Sequence, residues 1–380
     1  MEAMDHRPSI RAAVRDALET LGECSSLTVL VNDPQRHTDS GAVLRELSAL
    51  APRAALRVLV AAGSHSFAPQ ARRAFEDSLP PECRRRVAWH DSRAPAVPLG
   101  GWHGHAWLAD DSSPLLGIGS VEPHYFAGFT GAHKTATIGV AALSDIERNH
   151  ERALDPACRP CRLEGNPIFE GVAAMVGALE RVNRLAVVNL VQSGREVVFA
   201  AGGAALATLR RALAAARARF VRSVDRQADI VVAEVTGALG SSFYQADKGI
   251  KNNECAVRDG GAIVLVAPCG EGIGQAAFTE LLRLAPTYRD AVELMRRRGY
   301  RLGDHKAVRL RRLCDPCERN VRVVVVSPGL SPEDAGILGL LKAGDMEHAM
   351  EIARGHAGAG CVQHVSDAGN TCLEVAPAAG

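Results

Sequence analysis

The part of the sequence richest in groups that could do chemistry runs from Gly117 to His150. There Glu122-Pro123-His124, Gly128, Gly131, Lys134 and His150 follow one another closely. Glycines at these positions permit a ligand to approach the backbone. The segment Gly128-Phe-Thr-Gly131-Ala-His-Lys134-Thr135 ends in Lys-Thr like a phosphate loop, yet His133 stands where that motif requires glycine, which argues against ATP binding of that type. A lysine and a threonine after a glycine turn can still face a phosphate, because N–H groups at a helix start attract anions. An exposed lysine in a loop is the equally weighted alternative.

Other reactive groups recur where short apolar runs end. Asp33 and Arg36 follow the first run, Gly63-Ser64-His65 the second and His90-Asp91 the third. Each alone is ordinary for a solvated loop; three in succession point to a site. His65, His124 and His150 lie outside apolar periodicity, and imidazoles titrating near ~6.5 could act as acid, base or metal ligand. His103 and His105, beside Trp102 and Trp107, form a competing metal cluster. In Tyr244-Gln245-Ala-Asp-Lys248, Gln245 and Lys248 are three apart. On one helical turn they would face the same way and could hold a carboxylate, or simply form a polar helix face. Gly270-Glu-Gly272-Ile-Gly274 falls short of a dinucleotide fingerprint, with Gln275 where the third glycine belongs, and no HExxH pair occurs.

The elements that must position these groups alternate regularly. Val-, Ile- and Leu-rich runs predict strands over Leu27–Val31, Leu56–Val60, Arg86–Trp89, Leu185–Leu190, Ile230–Val235, Ala262–Val266 and Val321–Val326, with helices such as Ala204–Arg222 and Phe278–Arg298 between them. The pattern is that of an α/β protein with parallel-type sheets flanked by helices. Ligands of such sheets gather beyond the carboxyl ends of the strands. A chain of 380 residues suggests two domains. The short polar segment 223–229 sets the boundary between a domain over 1–225 and a second α/β domain over 226–351, with a tail of about 352–380 expected to pack back on the first. The active site is expected in the interdomain cleft.

Composition narrows the partners. Lys and Arg total 44 against 43 Asp and Glu, a net charge of +1, so no basic field points to nucleic acid or an anionic membrane. No apolar run approaches the ~20 residues of a spanning helix, and residues 1–10 do not resemble a secretory signal, so a cytoplasmic location is expected. The ten cysteines then read as reduced thiols. Cys158/Cys161 and Cys314/Cys317 have CxxC spacing, but lie too far apart for a zinc ribbon and contain turn-forming prolines.

Taken together, Asp33-x-x-Arg36, Gly63-Ser64-His65, His90-Asp91, Glu122-Pro123-His124, the Gly131-to-Lys134 loop, Asn149-His150, Gly165-Asn166-Pro167 and Tyr244-Gln245-x-x-Lys248 resemble, in order and interval, the nickel-dependent lactate racemase family over nearly the whole chain. The resemblance implies a nickel-pincer nucleotide (pyridinium-3,5-bisthiocarboxylic acid mononucleotide nickel) covalently attached to Lys134. Gly131, Thr135 and Asp33 would lie near that cofactor, and His150 would ligate Ni(II), for which imidazole and sulfur donors are suited. It further implies His65 and His124 as the acid/base pair, Arg36, Gln245 and Lys248 as holders of a substrate carboxylate, 1–225 as the cofactor-binding catalytic domain with 226–351 supplying substrate contacts, and separate cofactor-biosynthesis proteins as partners.

The implied activity is racemisation or epimerisation of a 2-hydroxy acid by hydride transfer. Lactate racemases of this family place a tryptophan from the C-terminal domain over the substrate, whereas Trp89, Trp102 and Trp107 all lie early here. Ser64 replaces the usual threonine, and His133 stands where arginine is frequent. These departures point to a substrate other than lactate and to a reshaped pocket. The rival classes are a dehydrogenase or hydrolase using a conventional metal or soluble NAD, and a non-catalytic cofactor-binding homologue.

Overall fold

The computed structural model describes residues 7–36, 38–194 and 196–376. The chain forms two units. The first comprises the chain up to Glu122, then Ala127–Asn149 and Arg162–Arg219; the second comprises Pro123–Phe126, His150–Cys161 and the chain from Phe220 on.

The first unit is built on a six-stranded sheet: β1 (Ser26–Asn32), β2 (Ala55–Ala61), β3 (Val87–Trp89), β4 (Leu115–Ser120), β5 (Leu185–Ser193) and β6 (Glu196–Gly203), in the order β6-β5-β4-β1-β2-β3. Neighbours run parallel except for β6, which pairs antiparallel with β5 at the edge. Strand β1 is Val- and Leu-rich without alternation because both faces are covered, and its five central residues are buried. After β3 the chain returns to the opposite side of β1 and enters β4. The carboxyl ends of β1 and β4 therefore flank a topological switch point, where side chains from successive loops meet.

Strand β4 escapes the pattern reading because Leu-Leu-Gly-Ile-Gly-Ser carries two glycines and little β-branching, although all six residues are buried.

The second unit holds a five-stranded parallel sheet: β7 (Ala228–Glu234), β8 (Val257–Val266), β9 (Arg322–Val326), β10 (Leu341–Ala343) and β11 (Val362–Val365), in the order β10-β9-β8-β7-β11. Alternate residues serve opposite faces. Val231, Ile263 and Val325 pack with Phe243, Phe278 and Leu310, while Ile230, Val264 and Val324 pack with Ala349 and Ala353.

Three expectations change. Segments Pro123–Phe126 and His150–Cys161 belong to the second unit, not to a continuous 1–225 domain; Tyr125 and Phe126 are buried there. The tail, expected on the first unit, is part of the second: β11 extends the second sheet beside β7, and Cys372–Val375 pairs with Val221–Val224 in a separate two-stranded sheet. The helix expected over Phe278–Arg298 is two, Ala276–Leu284 and Tyr288–Arg298. Pro286 cannot continue a helix, and the Thr287 side chain caps the second by accepting from the Asp290 N–H.

Among the described residues, no helix is long and apolar enough to cross a membrane. None of the ten cysteines is in a disulfide.

Arg311 shows how buried helix ends in the second unit are satisfied. Its guanidinium donates to four carbonyls, those of Ala285 (2.9 Å), Leu282 (2.7 Å), Leu338 (2.8 Å) and Ile337 (2.9 Å), at the ends of Ala276–Leu284 and Pro332–Leu338. Lysine offers a single head group and cannot reach the same set. Arg311→Lys is expected to cost about 2–3 kcal/mol, read as a lower urea midpoint, because buried carbonyls lose their donors. An unchanged midpoint would show that these ends do not depend on Arg311.

Candidate active site

In the first unit, the seat of Lys134 is made by glycine. Gly131, at φ 153° and ψ 175°, leads into the single turn Ala132–Thr135. This turn lies on β4: a Cβ at Gly119 would stand 2.5 Å from the Ala132 nitrogen, and one at Gly117 would stand 3.2 Å from Val187. The Ala132 N–H donates to Asn189 Oδ1 on β5 at 2.8 Å, and the Thr135 hydroxyl donates to Asn32 Oδ1 at the end of β1 at 3.1 Å. Ala132, His133 and Thr135 are buried, which leaves Lys134 as the half-buried member of the turn.

His133 is packed into the core beside the Lys134 seat, against Gly131. Its ring is 1% exposed and lies edge-on to Phe169 at 6.0 Å. Burial, with Lys134 beside it, pushes its pKa down to about 3, so it is a neutral core group.

The loops after β1, β2 and β4 converge on this seat within the same unit. Asp33 is 5% exposed; its Oδ1 accepts from the Gln35 N–H at 2.9 Å, and its Oδ2 lies 2.8 Å from His65 Nδ1. A carboxylate on Nδ1 fixes the imidazole so that Nε2 carries the reactive lone pair. Nearly half of the His65 side chain is exposed, so that lone pair can reach a ligand.

Gly63, at φ 54°, turns the loop after β2 so that its N–H donates to Gly139 O at 2.8 Å. His90 Nε2 bonds Ala141 O at 2.9 Å, and burial lowers its pKa. Both tie strand ends to the segment after Lys134. Arg36 lies 3.7 Å from Glu122, whose N–H donates to Thr130 Oγ1 at 3.1 Å. Asp33, Arg36, His65, Gly131, Lys134 and Thr135 are thus gathered at one end of one sheet.

His124 and His150 belong to the second unit, where they share an aromatic cluster. His124 stacks on Tyr125 at 5.1 Å and meets Phe126 edge-on at 4.4 Å. Phe126 meets His150 at 4.9 Å, and His305 lies 6.0 Å from His150. Gln245 and Lys248 stand one turn apart on the helix Phe243–Asn253, both half-buried, while Asp247 and Lys251 beside them are fully buried.

Gly274 explains the near-fingerprint loop differently: a Cβ there would meet Tyr244 and Ser242 at 3.0–3.2 Å, so this loop closes on the start of that helix.

Sequence reasoning missed Tyr125, Asp247, His305 and Lys306. Lys306 is 2% exposed, donates to Tyr244 O and lies 3.6 Å from Asp247. Burial lowers its pKa to about 8, although Asp247 opposes the shift. Asp304-His305-Lys306, three polar residues opening a helix, was the available signal, and it reads as a solvated start.

The competing cluster does not assemble. His103 Nδ1 faces Asp145 at 3.2 Å, while His105 accepts from the Trp107 N–H and burial lowers its pKa to about 4. Among the described residues, no group of three or more His, Cys, Asp or Glu could hold a metal ion, the CxxC pairs included.

Residues 6–159 match the family described as the lactate racemase N-terminal domain, and residues 224–368 that described as the lactate racemase C-terminal domain. The lactate racemase of Thermoanaerobacterium thermosaccharolyticum is 30% identical over 279 residues, 70% of this chain and 63% of that protein. The lactate racemase of Lactiplantibacillus plantarum is 28% identical over 282 residues, 69% and 65% of the respective chains. The matched stretch thus spans a little under two thirds of either relative.

In fold, the chain is similar to the lactate racemase apoprotein of T. thermosaccharolyticum (TM-score 0.85, 23% identity, 98% of this chain and 93% of that one). It is also similar to a protein of Thermotoga maritima (TM-score 0.73, 18% identity, 97% and 98%). The class is therefore an α/β protein of two units whose N- and C-terminal domains both have counterparts in one family. The chain belongs to the lactate racemase family.

Two outcomes follow from the seat. Gly119→Ala should cost about 1–3 kcal/mol, because the neighbour it meets is backbone and cannot swing aside. Gly270→Ala, with nothing within 4 Å, should leave the urea midpoint unchanged; equal midpoints for the two variants would refute the close approach.

His133 should make stability pH-dependent. Its pKa is about 3 when folded and ~6.5 when unfolded, so the unfolded chain binds more protons between those values and stability falls as pH drops through that window. His133→Leu should lose less stability than the natural chain between pH ~7 and ~4.5 in urea titrations. Parallel losses would mean that His133 titrates normally.

Proposed function

We propose that this chain inverts the configuration at Cα of a 2-hydroxy acid other than lactate, using a nickel-pincer nucleotide joined to Lys134. The observation that carries the reading is the pairing of the Lys134 seat with the Asp33–His65 couple at the ends of adjoining strands.

The residues suit the group. Gly119 seats the turn directly on backbone, and Gly131 packs closely against Asn189 and His133, which leaves the half-buried Lys134 as the amine presented at this end of the sheet. Lys134 would carry the nucleotide, with Gly131, Thr135 and Asp33 near it. His150 would supply an imidazole to Ni(II), a donor that metal accepts readily. When bound, the group supplies a hydride acceptor and donor, which avoids the carbanion that direct removal of the Cα proton beside a carboxylate would create.

The protein's own groups manage the proton and the orientation. Arg36, Gln245 and Lys248 bind the substrate carboxylate, Arg36 with a guanidinium able to form two parallel hydrogen bonds. His65 takes the hydroxyl proton of one enantiomer at Nε2, and protonates that oxygen when the same enantiomer is the product, while Asp33 stabilises the imidazolium that forms. Inversion needs a second acid/base group for the other enantiomer, and His124 fills that role. The two histidines come from different units, as do Arg36 and Lys248.

A substrate other than lactate is supported by the tryptophans. Trp89 donates to Glu76, Trp102 donates to Met175 O and Trp107 lies under Arg57. All three are engaged in the first unit, and the second has none.

The test is intact mass and nickel content after coexpression with the cofactor-making proteins, followed by chiral analysis of a panel of 2-hydroxy acids incubated in D2O. The natural chain should carry added mass and stoichiometric nickel and should interconvert the enantiomers of one of these acids without taking deuterium into Cα, and all three should vanish in Lys134→Ala. Absence of added mass from the natural chain would sink the proposal.

A further inference from the structure

The second unit contains a hydrogen-bonded chain of side chains behind its two assigned histidines. Tyr125 and Phe126 are 6% and 2% exposed. The imidazole of His124 lies flat on Tyr125, at an interplanar angle of 18°, and Phe126 stands edge-on to His124, His150 and His305. Each such contact is worth about 0.5–1.5 kcal/mol beyond burial and still lets rings slide. A directional bond is needed to hold one orientation.

His305 provides it twice. Its Nε2 is 2.9 Å from the Tyr125 hydroxyl, and its Nδ1 is 2.7 Å from the Tyr300 hydroxyl. His305 sits at the start of the helix Asp304–Cys314. The preceding Asp304 anchors that start by accepting from the Arg301 N–H at 2.8 Å and from Arg298 at 2.6 Å.

The direction of the chain follows from satisfying each buried donor. Among the described residues, His305 Nε2 is the partner of the buried Tyr125 hydroxyl. That O–H must donate to it, so Nε2 accepts and the imidazole proton lies on Nδ1. Nδ1–H then donates to the Tyr300 oxygen. Tyr300 is half-buried, so its own hydroxyl hydrogen can turn towards water. The opposite tautomer would have Nε2–H donate to Tyr125, leaving the Tyr125 hydroxyl hydrogen without an acceptor.

We propose that Tyr300, His305 and Tyr125 form a one-way hydrogen-bonded strut, with the His305 proton on Nδ1, that sets the ring orientations of His124 and His150. The strut stands on this geometry alone; its value to catalysis rests on the roles given to His124 and His150 above. Tyr125 and His305 are positioning residues. Tyr125 acts on His124 through the stacked ring, and His305 acts on Tyr125 through the hydrogen bond and on Phe126 by contact.

The strut is tested in the apoprotein labelled with 15N-histidine, by long-range proton–nitrogen correlation at pH ~7, where neutral tautomers are distinct. A signal with Nδ1 protonated and Nε2 bare, separate from that of His65 assigned from His65→Gln, should vanish in His305→Gln. Tyr125→Phe keeps the ring and should retain the thermal midpoint to within a few degrees. It should nevertheless move the His124 and His150 imidazole signals, assigned from His124→Gln and His150→Gln. In cofactor-loaded protein, the same variant should lower kcat about tenfold at unchanged KM for the panel acid whose enantiomers the natural chain interconverts fastest.

A His305 signal with Nε2 protonated, or His124 and His150 signals unmoved in Tyr125→Phe, would overturn the strut. Lack of cofactor on the natural chain would overturn the proposed function instead and leave these spectra readable.

Discussion

The turn Ala132–Thr135 lies backbone against backbone on the strand Leu115–Ser120, and this close approach is the constraint on which the first unit's site depends. It is possible because Gly119 has no side chain where one would collide with Ala132. Once the turn is seated, Asn189 holds its first N–H and Asn32 receives its threonine hydroxyl, so the sheet specifies the turn from two further strands. The segment that follows is then tied to the loop after Ala61 through Gly63 and Gly139, and to the end of the next strand through His90 and Ala141. Lys134, half-buried among buried neighbours, inherits its position from contacts that other residues make.

Polar groups in both units are held mostly in pairs, and the pairing separates working groups from supporting ones. Asp33 is almost fully buried and gives its carboxylate to His65, whose far nitrogen stays accessible; a charged group inside thus orients a titratable one outside. His90, His105, His133 and His305 show the reverse: burial lowers the pKa of each and so favours the neutral ring. Lys306 and Asp247 are buried side by side in the second unit, where breaking the pair would strand a charge.

Much of this was legible along the chain. The seven strands expected from Val, Ile and Leu runs all occur, with ends differing by a few residues, because runs buried on both faces have no other stable home. Strand Leu115–Ser120 was not legible, because the glycines that let the Lys134 turn approach also erase its β-propensity. The break at Pro286 was available in the sequence and was outweighed by the helical pattern on either side of it.

By itself, the sequence determined the α/β class, the order of the chemical groups and their assignment to strand ends, because those depend on local periodicity and on which residue types tolerate a loop. Tertiary structure alone decided which groups became partners. That Asp33 meets His65, that His133 is core, that the segments carrying His124 and His150 fold with the second unit, and that His305 and Lys306 are buried are all facts about residues far apart in the chain. A polar side chain's environment is set by what packs against it, and that neighbour's identity is not written within a few residues of its own position.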